Sequence, residues 1–118
     1  MGYNRRVPLF LCEVNMRETA YERKLKVKIS NMFPGCFIQK NDPQRTQGIL
    51  DFTIFYKDMW AMLEVKISET APHRPNQDWW VEELSKHSFA SFIYPENEDE
   101  VLNGLQHAFE TRRASCTT

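Results

Sequence analysis

The sequence predicts an α/β (α+β) domain with the element order αβββαβα, in which a mixed sheet is flanked by helices. Its 118 residues, 42% hydrophobic and 13% aromatic, suit one compact domain with its own core. Apolar residues at helical spacing alternate along the chain with short strand-like runs, and no repeat, low-complexity tract or linker divides them. We therefore expect one domain over residues 1–118, with 1–15 as an N-terminal arm and 111–118 as a C-terminal tail.

The first helix is predicted over residues 16–33. In "NMRETAYERKLKVKISNMF", apolar side chains recur every three or four residues and form one stripe, made of Tyr21, Leu25, Ile29, Met32 and Phe33. Asn15 and Glu18 have the spacing of a capping box at the start of this helix. Pro34-Gly35 predicts its end.

Three strands are predicted next. "CFIQK" (36–40) is a short strand, and the turn-rich segment "NDPQRTQG" (41–48) is a loop. The stretch "GILDFTIFYKDMWAMLEVK" (48–66) reads as a hairpin whose strands contain two carboxylates and a lysine.

The second half of the chain predicts a helix, a strand and a helix. After the loop "SETAPHRPNQ", "DWWVEELSKH" places Trp80 and Leu84 on one helical face, and "SFASFIY" is a strand. "PENEDEVLNGLQHAF" opens with an acidic first turn and continues with apolar residues at helical spacing: Val101, Leu102, Leu105 and Phe109.

The hairpin register brings two acids together. If residues 57–58 form a two-residue turn, antiparallel pairing places Asp51 directly opposite Glu64, with Cβ atoms about 4.5–5.5 Å apart. Alternation along the strand then puts Lys66 on the face of Glu64. A three-residue turn would shift the register and set Asp51 across from Val65 instead.

The same alternation predicts that the other face of the hairpin is apolar. Phe52, Ile54, Leu63 and Val65 all point to the side of the sheet away from the two acids. The acids thus interrupt a hairpin that is otherwise suited to a core.

Opposed carboxylates predict a cation between them. Like charges across a sheet are destabilising, and a divalent cation with oxygen ligands would relieve their repulsion. Such an ion can polarise a phosphate oxygen and lower the pKa of a bound water, and a neighbouring lysine can orient or deprotonate that water. The pattern therefore favours phosphodiester hydrolysis. The alternative is simple charge alternation, since Glu-x-Lys is common on exposed strands.

Charge is unevenly distributed along the chain. Residues 1–50 hold nine Lys/Arg against four Asp/Glu, and residues 51–118 hold six against twelve. One face of such a molecule can bind phosphate although the net charge is −1. The predicted phosphate contacts are Lys24, Lys28, Lys40, Arg45, His73 and Arg74. Their alternative role is that of an ordinary solvated surface.

Several protein classes are disfavoured by the sequence. The apolar run near the N-terminus is too short for a secretory signal, and no stretch reaches the roughly 20 apolar residues of a membrane span. Cys12, Cys36 and Cys116 have no His or Cys at zinc-ligand spacing. We expect an intracellular, cytoplasmic protein without a membrane partner.

These residues resemble the PD-(D/E)XK nuclease superfamily, particularly its small phage-encoded, Holliday-junction-resolvase-like (VRR-NUC-like) members. The resemblance covers residues 18–109. It rests on Glu22 in "YERKL", Asp51 in "GILD", Glu64 and Lys66 in "LEVK", and Gln77 in "PNQ". The family's usual proline before the motif aspartate is Leu50 here.

The resemblance implies a restriction-endonuclease-like core and a catalytic role for each matching residue. Asp51, Glu64 and the backbone carbonyl of Val65 would bind Mg²⁺ or Mn²⁺, and Lys66 would lie at the attacking water. Glu22 would act in the outer metal shell, and Gln77 would steady the site or touch the scissile strand. Glu18 competes with Glu22 for the helix role, since the two lie one turn apart.

The implied activity is that of a metal-dependent DNA endonuclease, acting on branched DNA such as Holliday junctions. Because two cuts need two sites, a homodimer is expected. Two other classes stay open: a catalytically silent nuclease-fold module that binds DNA, and a structural or adaptor protein of a phage assembly.

Overall fold

The protein forms a mixed α+β fold, seen in a computed structural model that describes residues 9–116 and, for side chains, residues 16–112. The elements in this range are α1 (Leu9–Met32), β1 (Phe37–Lys40), β2 (Phe52–Tyr56), β3 (Met59–Val65), α2 (Gln77–Ser85), β4 (Phe89–Ile93) and α3 (Glu98–Cys116). The predicted order αβββαβα is confirmed. No helix within these bounds is long and apolar enough to cross a membrane.

The four strands form one mixed sheet in the order β1-β2-β3-β4. β1 and β3 pair with β2 antiparallel, so neither connection has to cross the sheet, whereas β3 and β4 are parallel. A parallel pair needs a crossover connection, and the segment containing α2 supplies it.

The predicted hairpin register is confirmed. Tyr56 pairs with Met59 and Phe52 pairs with Leu63, as a two-residue turn requires. Lys57 in that turn has a φ of +59°. The alternative register, with a three-residue turn, is wrong.

The core lies between the sheet and the two long helices. The predicted stripe of the first helix contributes Leu25 and Ile29, with Phe33 just after the end of α1. The stripe of α3 contributes Val101, Leu102, Leu105 and Phe109. On the sheet side the core takes the predicted apolar face of the hairpin: Phe52, Ile54, Leu63 and Val65. Glu64 and Lys66 alternate with Leu63 and Val65 and therefore face away from this layer. Asp51, which precedes β2, instead reaches the acids of α1 at the edge of the sheet.

Both long helices extend further than the sequence predicted. α1 begins at Leu9, so Asn15 lies inside the helix and the capping box with Glu18 is wrong. Part of the predicted N-terminal arm, residues 9–15, is therefore helical, and α3 likewise continues to Cys116 in the predicted tail. Neither stretch contains Gly or Pro to stop a helix. The remaining parts of the arm and tail lie outside the described residues.

α1 and α3 are joined by polar contacts at Glu98, the first residue of α3. Tyr21 Oη donates a hydrogen bond to Glu98 Oε1 at 2.8 Å, and Lys28 Nζ donates to Glu98 Oε2 at 2.6 Å. Burial alone would raise the pKa of Glu98, but the bonds from Lys28 and Tyr21 lower it on balance. The ion pair thus fixes one helix against the other on the sheet face that holds the core.

Candidate active site

The candidate site lies at the end of the sheet where β1 and β3 end and β2 begins. Asp51 directly precedes β2, Glu64 is in β3, and Lys66 directly follows β3. Because β2 and β3 are antiparallel neighbours, their register alone brings these three residues to one edge.

Asp51 and Glu64 meet through backbone amides. The N–H of Asp51 donates to Glu64 Oε1 at 3.1 Å, and the N–H of Val65 donates to Asp51 Oδ2 at 2.9 Å. The backbone pairing of β2 with β3 ends at Phe52 and Leu63. The two side-chain bonds join the next residues beyond that pair, Asp51 to Glu64 and to Val65. The two acids are therefore neighbours, as the register predicted.

Gln77 connects Glu64 to Lys66. Its Nε2 donates to Glu64 Oε2 at 2.8 Å, and its Oε1 accepts from Lys66 Nζ and from the N–H of Arg74, both at 2.8 Å. Lys66 Nζ also donates to the carbonyl of Pro72 at 3.1 Å and lies 3.7 Å from Glu64 Oε2. Each oxygen and nitrogen of the Gln77 amide has a defined partner, so its orientation is fixed.

These three side chains are buried. Glu64 is 3% exposed, Lys66 6% and Gln77 2%. Burial raises the pKa of Glu64 to about 8, the charge of Asp51 adds to the increase, and Lys66 opposes it. A cation beside Glu64 would favour the ionised carboxylate and reverse this preference.

A second set of carboxylates lies against the outer side of Asp51. One oxygen each of Glu18, Glu22 and Asp51 falls within 4.8 Å of the others. The structure thus brings both candidate acids of the first helix to the site, because they lie one turn apart on one face of α1. Burial raises the pKa of Glu18, and the negative charge of Asp51 raises it further.

Lys40, the last residue of β1, joins two of these acids. Its Nζ donates to Glu22 Oε1 at 2.6 Å and to Asp51 Oδ1 at 3.2 Å. The sequence placed Lys40 among the phosphate contacts and did not predict these bonds. They follow from the β1–β2 register, in which Lys40 is opposite Phe52, the neighbour of Asp51.

The outer carboxylates line an open cleft of about 290 Å³. Its walls are formed by Glu18, Thr19, Glu22, Lys40, Pro43, Asp51 and Arg74. Buried Glu64 and Lys66 lie behind Asp51, so Asp51 connects the interior of the site to the cleft.

Two loops meet beside the cleft and set the start of α2. Trp80 Nε1 donates to the carbonyl of Gln47 at 3.0 Å, and Asn76 Nδ2 donates to Gln47 Oε1 at 3.3 Å. Gly48 has a φ of +82°, and a Cβ there would lie 2.6 Å from the carbonyl oxygen of Pro75. Only glycine permits this approach without strain.

Asn41 joins the two ends of the loop between β1 and β2 (residues 41–51). It was not identified from the sequence. Its Nδ2 donates to the carbonyl of Leu50 at 2.9 Å and to Thr53 Oγ1 at 3.0 Å, while its N–H donates to the carbonyl of Asp51 at 2.8 Å. An Asn just after a strand is a weak signal, since Asn is frequent in turns.

Four of the six predicted phosphate contacts lie outside the lining of the cleft; Lys40 and Arg74 belong to it. Lys28 is paired with Glu98, and Arg45 lies on an exposed loop 4.0 Å from Asp42 Oδ2. His73 Nδ1 lies 2.7 Å from Asp78 Oδ1, and its ring stacks on Phe92 with centroids 4.2 Å apart. Lys24 is exposed on α1.

The donor set of the site consists of oxygens. Carboxylates of Asp51, Glu18 and Glu22, with Glu64 behind them, are ligands that suit a hard cation such as Mg²⁺ or Mn²⁺. Glu64 is not part of the 4.8 Å set, so its direct ligation of a metal stays a prediction. No protein-family model, curated protein sequence or solved structure matches the chain.

Proposed function

We propose that this protein is a metal-dependent DNA endonuclease with a restriction-endonuclease-like core, in which Asp51, Glu64 and Lys66 carry the chemistry. The observation that supports this most is the arrangement at one sheet edge: two adjacent carboxylates with an ammonium 3.7 Å from the inner one. That combination suits hydrolysis of a phosphodiester, where a cation and a positioned water must act together.

Burial argues against simple charge alternation. In an exposed Glu-x-Lys pair both charged groups are in contact with water, whereas Glu64 and Lys66 have almost no exposed surface. Transfer of two charged groups from water into the protein costs free energy that their attraction only partly offsets. A functional use explains the burial of this pair better than surface charge alternation does.

Each residue has a defined part in the proposed reaction. Asp51, Glu64 and the carbonyl of Val65 would hold Mg²⁺ or Mn²⁺, with Glu22 and Glu18 on its outer side. The ion would supply charge stabilisation for the phosphate and a lowered pKa for a bound water. Lys66 is fixed by the Gln77 amide and the Pro72 carbonyl, and from that position it would orient such a water.

The proposed substrate and assembly are those that the resemblance to resolvase-like nucleases implies. Lys40 and Arg74 in the cleft would contact phosphate, and Lys24, Lys28, Arg45 and His73 would extend the contact along a longer DNA. Branched DNA such as a four-way junction is the proposed substrate. A homodimer, which provides two sites for two cuts, is the proposed assembly, and the cytoplasm the proposed compartment.

One observation favours a second candidate, a silent module that binds DNA without cutting it. Lys40 pairs with Glu22 and Asp51, and Lys66 lies 3.7 Å from Glu64. No buried side-chain nitrogen or oxygen of the described residues lacks a hydrogen-bond partner. Carboxylates that are paired with lysine side chains of the same protein can stay close together without a bound metal ion.

Cleavage assays distinguish the two candidates. The wild-type protein is incubated with supercoiled plasmid and with a labelled four-way junction, in Mg²⁺ and in EDTA. We expect cutting only with Mg²⁺, and loss of that cutting in Asp51→Asn, which keeps the size of the side chain but removes its charge. Binding of the junction without cutting in any divalent metal would favour the silent module instead.

A further inference from the structure

The ammonium of Lys40 lies among the carboxylates at which the metal is proposed to bind. It is 2.6 Å from Glu22 Oε1 and 3.2 Å from Asp51 Oδ1, and both acids belong to the three-carboxylate set with Glu18. These acids repel one another, and Lys40 supplies the positive charge between two of them.

An ammonium and a divalent cation compete for one oxygen of Asp51. Its Oδ2 accepts from the N–H of Val65, and its Oδ1 is the oxygen that Lys40 holds. Mg²⁺ binds carboxylate oxygens at about 2.0–2.1 Å, closer than either contact of Lys40. A cation seated on Asp51 would therefore lie a few ångströms from Lys40 Nζ, at which distance two positive charges repel strongly. Metal binding at Oδ1 therefore favours departure of the Lys40 ammonium from Asp51. Lys66 does not face this competition, because Gln77 and Pro72 hold it rather than Asp51.

We propose that Lys40 is the resident counter-ion of the site, which a divalent cation displaces when it binds, so that Lys40 sets the metal affinity. This inference rests on the proposed function, since it needs a metal at Asp51. Its consequence is that the acids stay paired without metal, and that the ammonium becomes available to a substrate phosphate once metal has bound.

Lys40 is free to move in the way this requires. It ends the edge strand β1, its side chain is 47% exposed, and its Nζ lies 5.2 Å from the centroid of the Phe52 ring. Rotation about its side-chain bonds can carry the ammonium into the cleft while the backbone keeps its place in the sheet. Lys66 lacks this freedom, because it is buried and bonded to Gln77.

Lys26 provides a matched control. Its Nζ also lies 5.2 Å from the centroid of the Phe52 ring, yet no ion pair described for residues 16–112 joins it to a carboxylate. Lys26→Met and Lys40→Met remove the same charge near the same ring. The two substitutions differ because only the Lys40 ammonium is bonded to carboxylates of the site.

The first test is calorimetric titration of the full chain with Mn²⁺ alone, in the absence of DNA. We expect Lys40→Met to bind Mn²⁺ about tenfold more tightly than the wild type, since the ion no longer breaks two contacts, and Lys26→Met to bind within about twofold. Equal affinities of the two variants, or weaker binding by Lys40→Met, would overturn the inference.

A second test uses the wild type, so that it does not depend on how any variant folds. Acylation of lysine amines, read by mass spectrometry, should modify Lys40 several-fold faster with Mn²⁺ than with EDTA, and Lys26 equally in both. An unchanged rate at Lys40 while Mn²⁺ is bound would contradict displacement.

The two proposals fail in different ways. If the wild type binds Mn²⁺ and Lys40→Met resembles Lys26→Met, only the role of Lys40 is wrong. If the wild type and both variants bind no Mn²⁺, the metal site itself is wrong and both proposals fall. If Lys40→Met binds Mn²⁺ while the wild type and Lys26→Met do not, the result supports displacement, because Lys40 then prevents metal binding altogether.

Discussion

Lys66→Met is expected to reduce Mg²⁺-dependent DNA cleavage by roughly a thousandfold, within the 10²–10⁴ range of a positioned proton-transfer group. The change keeps the length of the aliphatic chain but removes the ammonium that lies 2.8 Å from Gln77 Oε1 and 3.7 Å from Glu64 Oε2. Cleavage of a labelled junction under single-turnover conditions measures the effect. Lys86→Met, which removes an exposed lysine of the α2 C-cap paired with Glu83, is the control and should cleave normally.

The same substitution should also destabilise the fold, because Lys66 is buried. Removal of one partner of a buried ion pair costs about 3–5 kcal/mol of unfolding free energy where the other group stays ionised. The loss should be smaller below the Glu64 pKa of about 8, because Glu64 can then take up a proton. Glu64→Gln combined with Lys66→Met should recover part of that loss in urea denaturation while cleavage stays absent. A Lys66→Met protein that cuts DNA within tenfold of the wild type would remove Lys66 from the mechanism.

Gly48→Ala is expected to lower the free energy of unfolding by more than about 3 kcal/mol. Two costs add there: a φ of +82°, and a new Cβ at 2.6 Å from the carbonyl oxygen of Pro75 and 2.7 Å from Cβ of Asn76. Relief of the clash must move the loop that precedes Gln77, so we expect cleavage to fall as well.

Gly35→Ala is a control that introduces the strain of a positive φ without a steric clash of the new Cβ. Gly35 has a φ of +87°, but a Cβ there would meet no atom within 4 Å, so its Ala variant should lose only about 1–2 kcal/mol. Urea denaturation of both variants measures the difference. Equal destabilisation would show that the close approach of Gly48 to Pro75 contributes nothing.

The fold was predictable where local pattern decides structure. Apolar spacing identified the buried faces of α1 and α3, and a two-residue turn at 57–58 fixed the partners of every residue in the hairpin. That register alone placed Asp51 beside Glu64 and Lys66 on the same face. The start of α1 was missed because Asn15 and Glu18 have a capping pattern although no helix begins there.

The position of Lys40 beside Asp51 depends on how β1 pairs with β2, and local sequence pattern does not determine that pairing. The segment between β1 and β2 runs from residue 41 to 51, and a loop of that length leaves the register of the two strands open. The bond of Lys40 to Asp51 therefore required the tertiary structure. So did the burial of Gln77, which a sequence pattern presents only as a polar residue at a helix start.

The most direct measurement is anomalous scattering from crystals of the full chain grown with Mn²⁺. If Asp51 and Glu64 share a hard ion, an anomalous peak will lie within coordination distance of both carboxylates, with the Lys66 ammonium nearby. A peak held by Glu18 and Glu22 without Glu64, or no peak at this edge of the sheet, would contradict the central claim.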